Sequence, residues 1–160
     1  MKVNVLMLFA LLLLSFLVFN LTLNNGFWHS FDFVMLQNSL EMRSDTSAAF
    51  SSEYPYKFQP LVYALSYALF QRFGFDPKGY FIFNIILHAI NAFLVYLIVD
   101  TLLKDRAVAI ISSLLFVFTV GSYGKSVMIA SGFEDLTITL LTLLTMLFYF
   151  KNELQKKGRL

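Results

Sequence analysis

The stretch VNVLMLFALLLLSFLVFNLTL, residues 3–23, decides the class of this protein. It is almost unbroken Leu, Phe and Val, and its length suits one crossing of a bilayer core, which takes about 20 helical residues. The short basic start before it would also suit a signal peptide. However, the apolar run is longer than an ordinary signal core, and no small-x-small cleavage site follows it. We therefore expect an uncleaved membrane anchor.

The composition of the whole chain agrees with that expectation. Of 160 residues, 58% are hydrophobic and only 14% are charged, and the mean hydropathy is +0.70. A soluble domain of this size could not bury so much apolar surface, and an aromatic content of 18% excludes a disordered chain. The net charge of +2 is too small to indicate a nucleic-acid partner. The absence of cysteine excludes disulfides, thiolate nucleophiles and Cys-ligated zinc.

Three further apolar runs follow, at residues 80–99, 107–129 and 136–150. The last is short for a crossing unless it begins at Glu134 or earlier. The sequence therefore predicts an all-α, polytopic membrane protein with four transmembrane helices. No linker divides the chain, so residues 1–160 are expected to form a single membrane domain.

The orientation follows from the basic residues, which are enriched on the cytoplasmic side of membrane proteins. With both termini and residues 104–106 inside, that side carries seven of the twelve basic residues and three of the ten acidic ones. The inside is then +4 and the outside −2. We therefore expect both termini in the cytoplasm and the loop 24–79 on the exoplasmic side, in a bacterial inner membrane or the endoplasmic reticulum.

Within that loop, residues 60–73 have the pattern of a short helix. Pro60 suits a first helical position and Gly74 an end, and leucines recur every four residues between them. The segment is too short to cross a membrane. It predicts an amphipathic helix lying at the exoplasmic membrane surface.

Two of the apolar runs carry polar stripes at helical spacing. Asn84, His88 and Asn91 share one face of the second run. The fourth run carries another stripe, formed by Asp135, Thr139, Thr142 and Thr145. Polar faces of membrane helices usually turn towards other helices or a wet cavity, so we expect both stripes to avoid lipid.

Three acidic residues are candidates for catalysis. Asp32 lies in FWHSFDF, residues 27–33, where apolar neighbours beside a membrane could raise its pKa and make it a general base. Alternatively, Asp32 caps a helix that begins at Phe33. Glu134 and Asp135 stand at the start of the fourth run, where Ser131 and Glu134 have the spacing of a capping box and both acids suit the helix dipole.

Basic and polar side chains of the expected exoplasmic side could bind a lipid phosphate, or could be ordinary interfacial anchors. They are Lys57, Gln59, Arg72, Lys78 and Lys125. His88 is either a hydrogen-bond partner between helices or a ligand-binding group. Two histidines without a nearby carboxylate give no metal site.

Three stretches, taken in order, carry a resemblance to a known family. They are YKFQPLVYALSYALF at residues 56–70, GYFIFNIILHAINA at residues 79–92 and IASGFEDL at residues 129–136. Together with the early loop acid, they resemble the N-terminal part of GT-C-type membrane glycosyltransferases. The likeness is greatest to the dolichyl-phosphate-mannose–protein mannosyltransferase-like group.

The resemblance implies a function and a site. Such enzymes transfer a sugar from a polyprenyl-phosphate carrier to a glycan, lipid or protein acceptor outside the cytoplasm. By likeness, Asp32 is the catalytic base, and Glu134 or Asp135 supplies the second acid. No cofactor is established, and a divalent cation is left open. The alternative is a four-span, non-catalytic accessory protein of envelope glycan assembly.

Overall fold

The computed structural model describes residues 2–50, 58–119 and 125–157, and these residues are mostly helical with no strand among them. The expected all-α class is confirmed. Three short 3-10 segments, Asn20–Asn24, Thr46–Phe50 and Ala130–Gly132, adjoin the helices. The α-helices are α1 (Lys2–Phe19), α2 (Ser30–Ser44), α3 (Pro60–Phe73), α4 (Pro77–Leu103), α5 (Arg106–Phe118), α6 (Lys125–Met128) and α7 (Phe133–Lys157).

Among the described residues, three helical stretches are long and apolar enough to cross a membrane: Asn4–Asn24, Pro77–Leu103 and Ala130–Lys156. The last stretch begins before Glu134. The fourth apolar run is therefore part of a helical stretch that is long enough for a crossing. The run 107–129 does not form one long helix in the described residues. It contributes α5, whose 13 residues span about 20 Å against a bilayer core of about 30 Å.

Local signals set the ends of α3 and the start of α4. Helix α3 begins at Pro60 and ends at Phe73, as predicted, because proline has no N–H to lose at a first position. Gly74 follows with a φ of +54°, a conformation that side chains with a Cβ rarely adopt. Asp76 then starts α4 by accepting a hydrogen bond from the N–H of Lys78 at 3.1 Å.

Helix α4 forms the centre of the molecule and packs against α1, α5 and α7. Residues later in α4 contact residues later in the segment from Ile129 to Leu147. Asn84 binds the carbonyl of Ile129, Asn91 binds that of Leu136, and Ile98 packs in one cluster with Leu147. Helices α4 and α7 therefore run parallel.

The polar stripe of α4 is completely buried between helices, as predicted. The Nδ2 of Asn84 donates to the Ile129 carbonyl at 2.8 Å, and the Nδ2 of Asn91 donates to the Leu136 carbonyl at 3.0 Å. The Nε2 of His88 lies 3.4 Å from the Val117 carbonyl of α5. The three side chains thus hold α4 to its neighbours.

The threonine stripe of α7 differs from the polar stripe of α4, because two of its members do not pack against another helix of the described residues. Thr142 and Thr145 are exposed on the helix surface. Their hydroxyls donate to the carbonyls of Ile138 and Leu141, at 2.9 and 2.8 Å. Because each hydroxyl is satisfied within its own helix, these threonines need no partner helix.

Helix α2 lies inside the loop and packs against α3. Met35 and Leu36 of α2 join Val62 and Leu69 of α3 in the main apolar cluster. A buried bond of 2.9 Å links the hydroxyls of Ser39 and Ser66. The two helices therefore pack side by side through apolar residues and one buried bond between hydroxyls.

Candidate functional site

Two side chains, those of His29 and Asp32, cap the N-terminus of α2. His29 stands before the helix, and its Nδ1 accepts the N–H of Phe31 at 3.3 Å. Asp32 reaches back, so that its Oδ2 accepts the N–H groups of Trp28 and His29 at 3.2 and 3.1 Å. This is a capping box, which satisfies N–H groups that a helix start leaves open. The helix begins at Ser30, three residues earlier than the capping interpretation of Asp32 supposed.

The other oxygen of Asp32 makes a long-range contact. Its Oδ1 accepts the N–H of Ser131 at 2.8 Å, a buried bond across 99 residues of sequence. Asp32 is 0% exposed. Both oxygens of this carboxylate therefore accept hydrogen bonds from backbone N–H groups. The side chain joins the start of α2 to the turn before α7. We call this arrangement the α2–α7 junction.

That turn is tightly packed. A Cβ on Gly132 would lie 1.7 Å from the carbonyl oxygen of Ser126, so only glycine fits. The predicted capping box between Ser131 and Glu134 is wrong. The Oγ of Ser131 is buried without a hydrogen-bond partner in the described part of the chain. The reason is that Ala130–Gly132 continues directly into α7 and the Ser131 N–H goes to Asp32.

A small polar cavity opens beside the junction, with a volume of about 130 Å³. Its lining includes Phe31, Lys125, Ser131, Glu134 and Asp135. Lys125 and Asp135 are exposed and Glu134 is half-buried. Of the three predicted acids, Glu134 and Asp135 are therefore accessible, whereas Asp32 is hidden behind the cavity wall.

Two neighbours fix the acids at the start of α7. The hydroxyl of Ser126 donates to the Oδ2 of Asp135 at 3.0 Å. On the other side, burial raises the pKa of Tyr63 in α3, and the negative charge of Glu134 raises it further. Helix α3 thus places Tyr63 close enough to Glu134 for their charges to interact.

The remaining predicted site residues do not gather at this cavity. Gln59 stands directly before α3, and Arg72 is exposed in the last turn of that helix. His88 is fully buried between α4 and α5, in contact with the Val117 carbonyl. Lys57 lies outside the described residues.

Sequence reasoning missed two side chains of the site. The only sequence feature that could have indicated Ser126 is its place beside Lys125. Its hydrogen bond to Asp135 depends on how the chain folds, and no local pattern predicts it. Phe31 belonged to a recognisable aromatic cluster, but its position at the cavity depends on the Asp32–Ser131 bond. Within the residues described, no group of three or more His, Cys, Asp or Glu side chains could hold a metal ion. A divalent cation would meet only the carboxylates of Glu134 and Asp135 here.

Comparison of the chain with family models, curated proteins and solved structures gave no match. The resemblance to GT-C glycosyltransferases therefore rests on the sequence motifs alone. The chemistry that can be argued for this chain comes from the α2–α7 junction and its cavity.

Proposed function

We propose that this chain is the N-terminal part of a GT-C-type glycosyltransferase, which moves a sugar from a polyprenyl-phosphate donor to an extracytoplasmic acceptor. One observation carries the proposal. The early loop acid and the acids before the last span meet at one place, since Asp32 binds Ser131 at 2.8 Å, three residues before Glu134. The family resemblance expects these two acidic motifs to build one site.

The site supports a division of roles between the acids. Asp32 is a positioning residue, because its oxygens are occupied by backbone N–H groups. Asp135 is exposed at the cavity and acts as the general base. It takes the proton of an acceptor hydroxyl while that oxygen forms a bond to the anomeric carbon of the donor. The bond from that carbon to the phosphate oxygen breaks, and polyprenyl phosphate leaves. Lys125, which is exposed and lines the same cavity, balances the charge of the phosphate.

The membrane topology belongs to the same proposal: four crossings, with both termini in the cytoplasm and the loop 24–79 exoplasmic. The parallel course of α4 and α7 supports it. Only two residues separate the end of α4 from the start of α5, and residues 129 and 130 lie beside Asn84, near the start of α4. The chain between them must therefore return across most of the membrane, although α5 alone is too short to do so.

A second candidate function has its own supporting observation. The complete burial of Asp32 removes the acid that the family uses as its base. This favours a non-catalytic accessory protein of envelope glycan assembly that keeps the fold without the reaction.

A transfer assay separates the two candidates. Membranes containing the complete protein, of which this chain is proposed to be the N-terminal part, are supplied with polyprenyl-phosphate mannose or glucose, and transfer to acceptor is counted with labelled sugar. If Asp135 is the base, Asp135→Asn lowers transfer by about 10²-fold or more, the usual contribution of general base catalysis. Glu153→Gln, at the other end of α7, is the matched control and keeps full transfer. Equal transfer by Asp135→Asn and wild type excludes Asp135 as the base, and no transfer by wild type from either donor favours the accessory protein.

A further inference from the structure

An apolar groove, which we call the α4–α7 groove, lies between the last turns of α4 and α7, at the opposite end of α7 from the α2–α7 junction. Its lining includes Leu102 of α4 and Tyr149, Phe150 and Leu154 of α7. The rings of Tyr149 and Phe150 meet edge to face, with centroids 5.6 Å apart and planes 65° from parallel. The volume of the groove is about 260 Å³, below the range of about 300–1,000 Å³ for pockets that enclose a small molecule. The groove therefore suits part of a long apolar chain rather than a whole soluble ligand.

The depth of the groove in a bilayer follows from the length of the last span. From Ala130 to Phe150 the helical stretch rises about 30 Å, at about 1.5 Å per residue, which equals the thickness of a hydrocarbon core. The sequence becomes polar at that point, because Lys151, Asn152 and Glu153 follow directly. Tyrosine is also enriched at this level of membrane proteins. The groove therefore lies where the acyl chains of one leaflet meet the phosphate groups of its lipids.

The charges around the groove favour an anionic partner. Lys104 caps the C-terminus of α4 and Lys151 follows Phe150, and both lysines are exposed. Glu153 also lines the groove, but it forms an ion pair with Lys156 at 2.8 Å, so these two charges balance. With both chain termini at this end, its seven basic and three acidic residues give a net charge of +4. Lysine stems extend along apolar surface, so that the ammonium groups reach the level of the phosphates.

We propose that the α4–α7 groove binds one anionic phospholipid. An acyl chain packs on Leu102 and Phe150, and the phosphate accepts hydrogen bonds from the Tyr149 phenol and from the ammonium groups of Lys104 and Lys151. Under the proposed topology this lipid belongs to the cytoplasmic leaflet, where anionic lipids produce a negative surface potential. Phosphatidylcholine carries a cation beside its phosphate and lacks the net charge that the lysines bind.

Two neighbouring positions of α7 provide reporters for this binding. Tyr149→Trp places an indole in the groove. Phe148→Trp is the matched control, because Phe148 is 66% exposed against 60% for Tyr149 but does not line the groove. The full chain is placed in phosphatidylcholine nanodiscs that contain increasing fractions of dibrominated phosphatidylglycerol or of dibrominated phosphatidylcholine. Bromine on an acyl chain quenches a tryptophan that it contacts. The signal of Trp28, the only tryptophan of the wild-type chain, is measured separately and subtracted.

The reporters should respond differently to the two lipids. Half of the maximal quenching of Tyr149→Trp should need about fivefold less brominated phosphatidylglycerol than brominated phosphatidylcholine, the preference expected from one lysine near the lipid surface. For Phe148→Trp the two lipids should differ by less than about twofold, because that position contacts only the surrounding bilayer.

A pair of charge variants tests the lysines. In the Tyr149→Trp protein, the double change Lys104→Gln and Lys151→Gln should abolish the preference for phosphatidylglycerol. The double change Arg72→Gln and Lys78→Gln is the matched control and should keep it. Both of these residues are exposed, and they lie at the other end of α4.

Three outcomes overturn the lipid site. They are equal quenching of Tyr149→Trp by the two brominated lipids, the same preference in both reporters, and the same effect of both charge variants. The nanodiscs present lipid on both faces and contain no sugar donor. The result is therefore independent of the proposed topology and of the transfer reaction, and a failure of either leaves the lipid preference to stand or fall on its own.

Discussion

Replacing Asp32 with asparagine tests the α2–α7 junction most directly. The substitution keeps the shape of the side chain but turns one acceptor oxygen into an NH2 group. The wild-type carboxylate accepts from Ser131 with one oxygen and from Trp28 and His29 with the other. An amide has a single oxygen. Whichever way it is turned, its NH2 group faces a backbone N–H.

The expected loss of stability follows from these contacts. With the amide oxygen towards Ser131, the bonds to Trp28 and His29 are lost, and both donors are only partly buried. With the amide reversed, the fully buried N–H of Ser131 is orphaned. A buried orphaned donor costs about 1–3 kcal/mol, and hydrogen bonds to a charged group are worth about 1.5–3 kcal/mol. We expect Asp32→Asn to lower the free energy of unfolding by about 2–4 kcal/mol.

Thermal unfolding in detergent, followed by circular dichroism, measures this effect. For a chain of this size the loss corresponds to a fall in Tm of about 5–15 °C. Asp76→Asn is the matched control. Asp76 caps α4 through the Lys78 N–H and is exposed, and asparagine caps as well as aspartate. Its Tm should stay within about 2 °C of wild type.

The reasoning is refuted if Asp32→Asn unfolds at the wild-type temperature and the Ser131 amide exchanges its hydrogen at the wild-type rate. In that case the carboxylate is not a structural ligand of the turn, and its role as a catalytic base regains support. A destabilised Asp32→Asn protein that has lost transfer does not identify the base, because the cavity itself is then disturbed.

Three further predictions concern the membrane part. Asn84→Leu removes the buried hydrogen bond from Asn84 to the Ile129 carbonyl, which keeps only the Gly132 N–H, and should lower stability by about 0.6–2 kcal/mol in a detergent unfolding assay without preventing insertion. Thr142→Val should change stability by less than about 0.5 kcal/mol in the same assay, because the Thr142 hydroxyl bonds only within its own helix. Single cysteines at Ser47 and Lys156, both exposed, should react with impermeant maleimides from opposite sides of the membrane, and labelling from one side would contradict the proposed topology.

Local sequence signals predicted those parts of the fold that local chemistry controls. The bounds of α3 follow from Pro60 and Gly74, and the buried stripe of α4 follows from helical spacing alone. Helix α2 was predicted only through the capping interpretation of Asp32, which began it at Phe33 instead of Ser30, because its apolar residues are mixed with polar ones and its start is set by side chains around His29. The single long helix expected at residues 107–129 was wrong in the described residues, since α5 ends at Phe118.

The candidate site was predictable as a set of residue types but not as an arrangement. The acids at the start of α7 were identified because two adjacent carboxylates at a membrane edge are unusual. Their relation to Asp32 depends on one hydrogen bond over 99 residues, which no local pattern encodes. The same bond explains the failure of the predicted capping box at Ser131, whose N–H was already engaged.

The Asp32–Ser131 bond also orders the events of biogenesis. A ribosome adds about 5–20 residues per second, so Ser131 is synthesised about 5–20 s after Asp32. During that interval α1 and α2 can already exist, while the carboxylate of Asp32 still lacks the donor that later buries it. The nascent chain must keep this charge hydrated until the turn before α7 arrives. The end of the molecule that holds the cavity is therefore the last to mature, and chains interrupted before α7 carry an unmet charge that quality-control proteases can recognise.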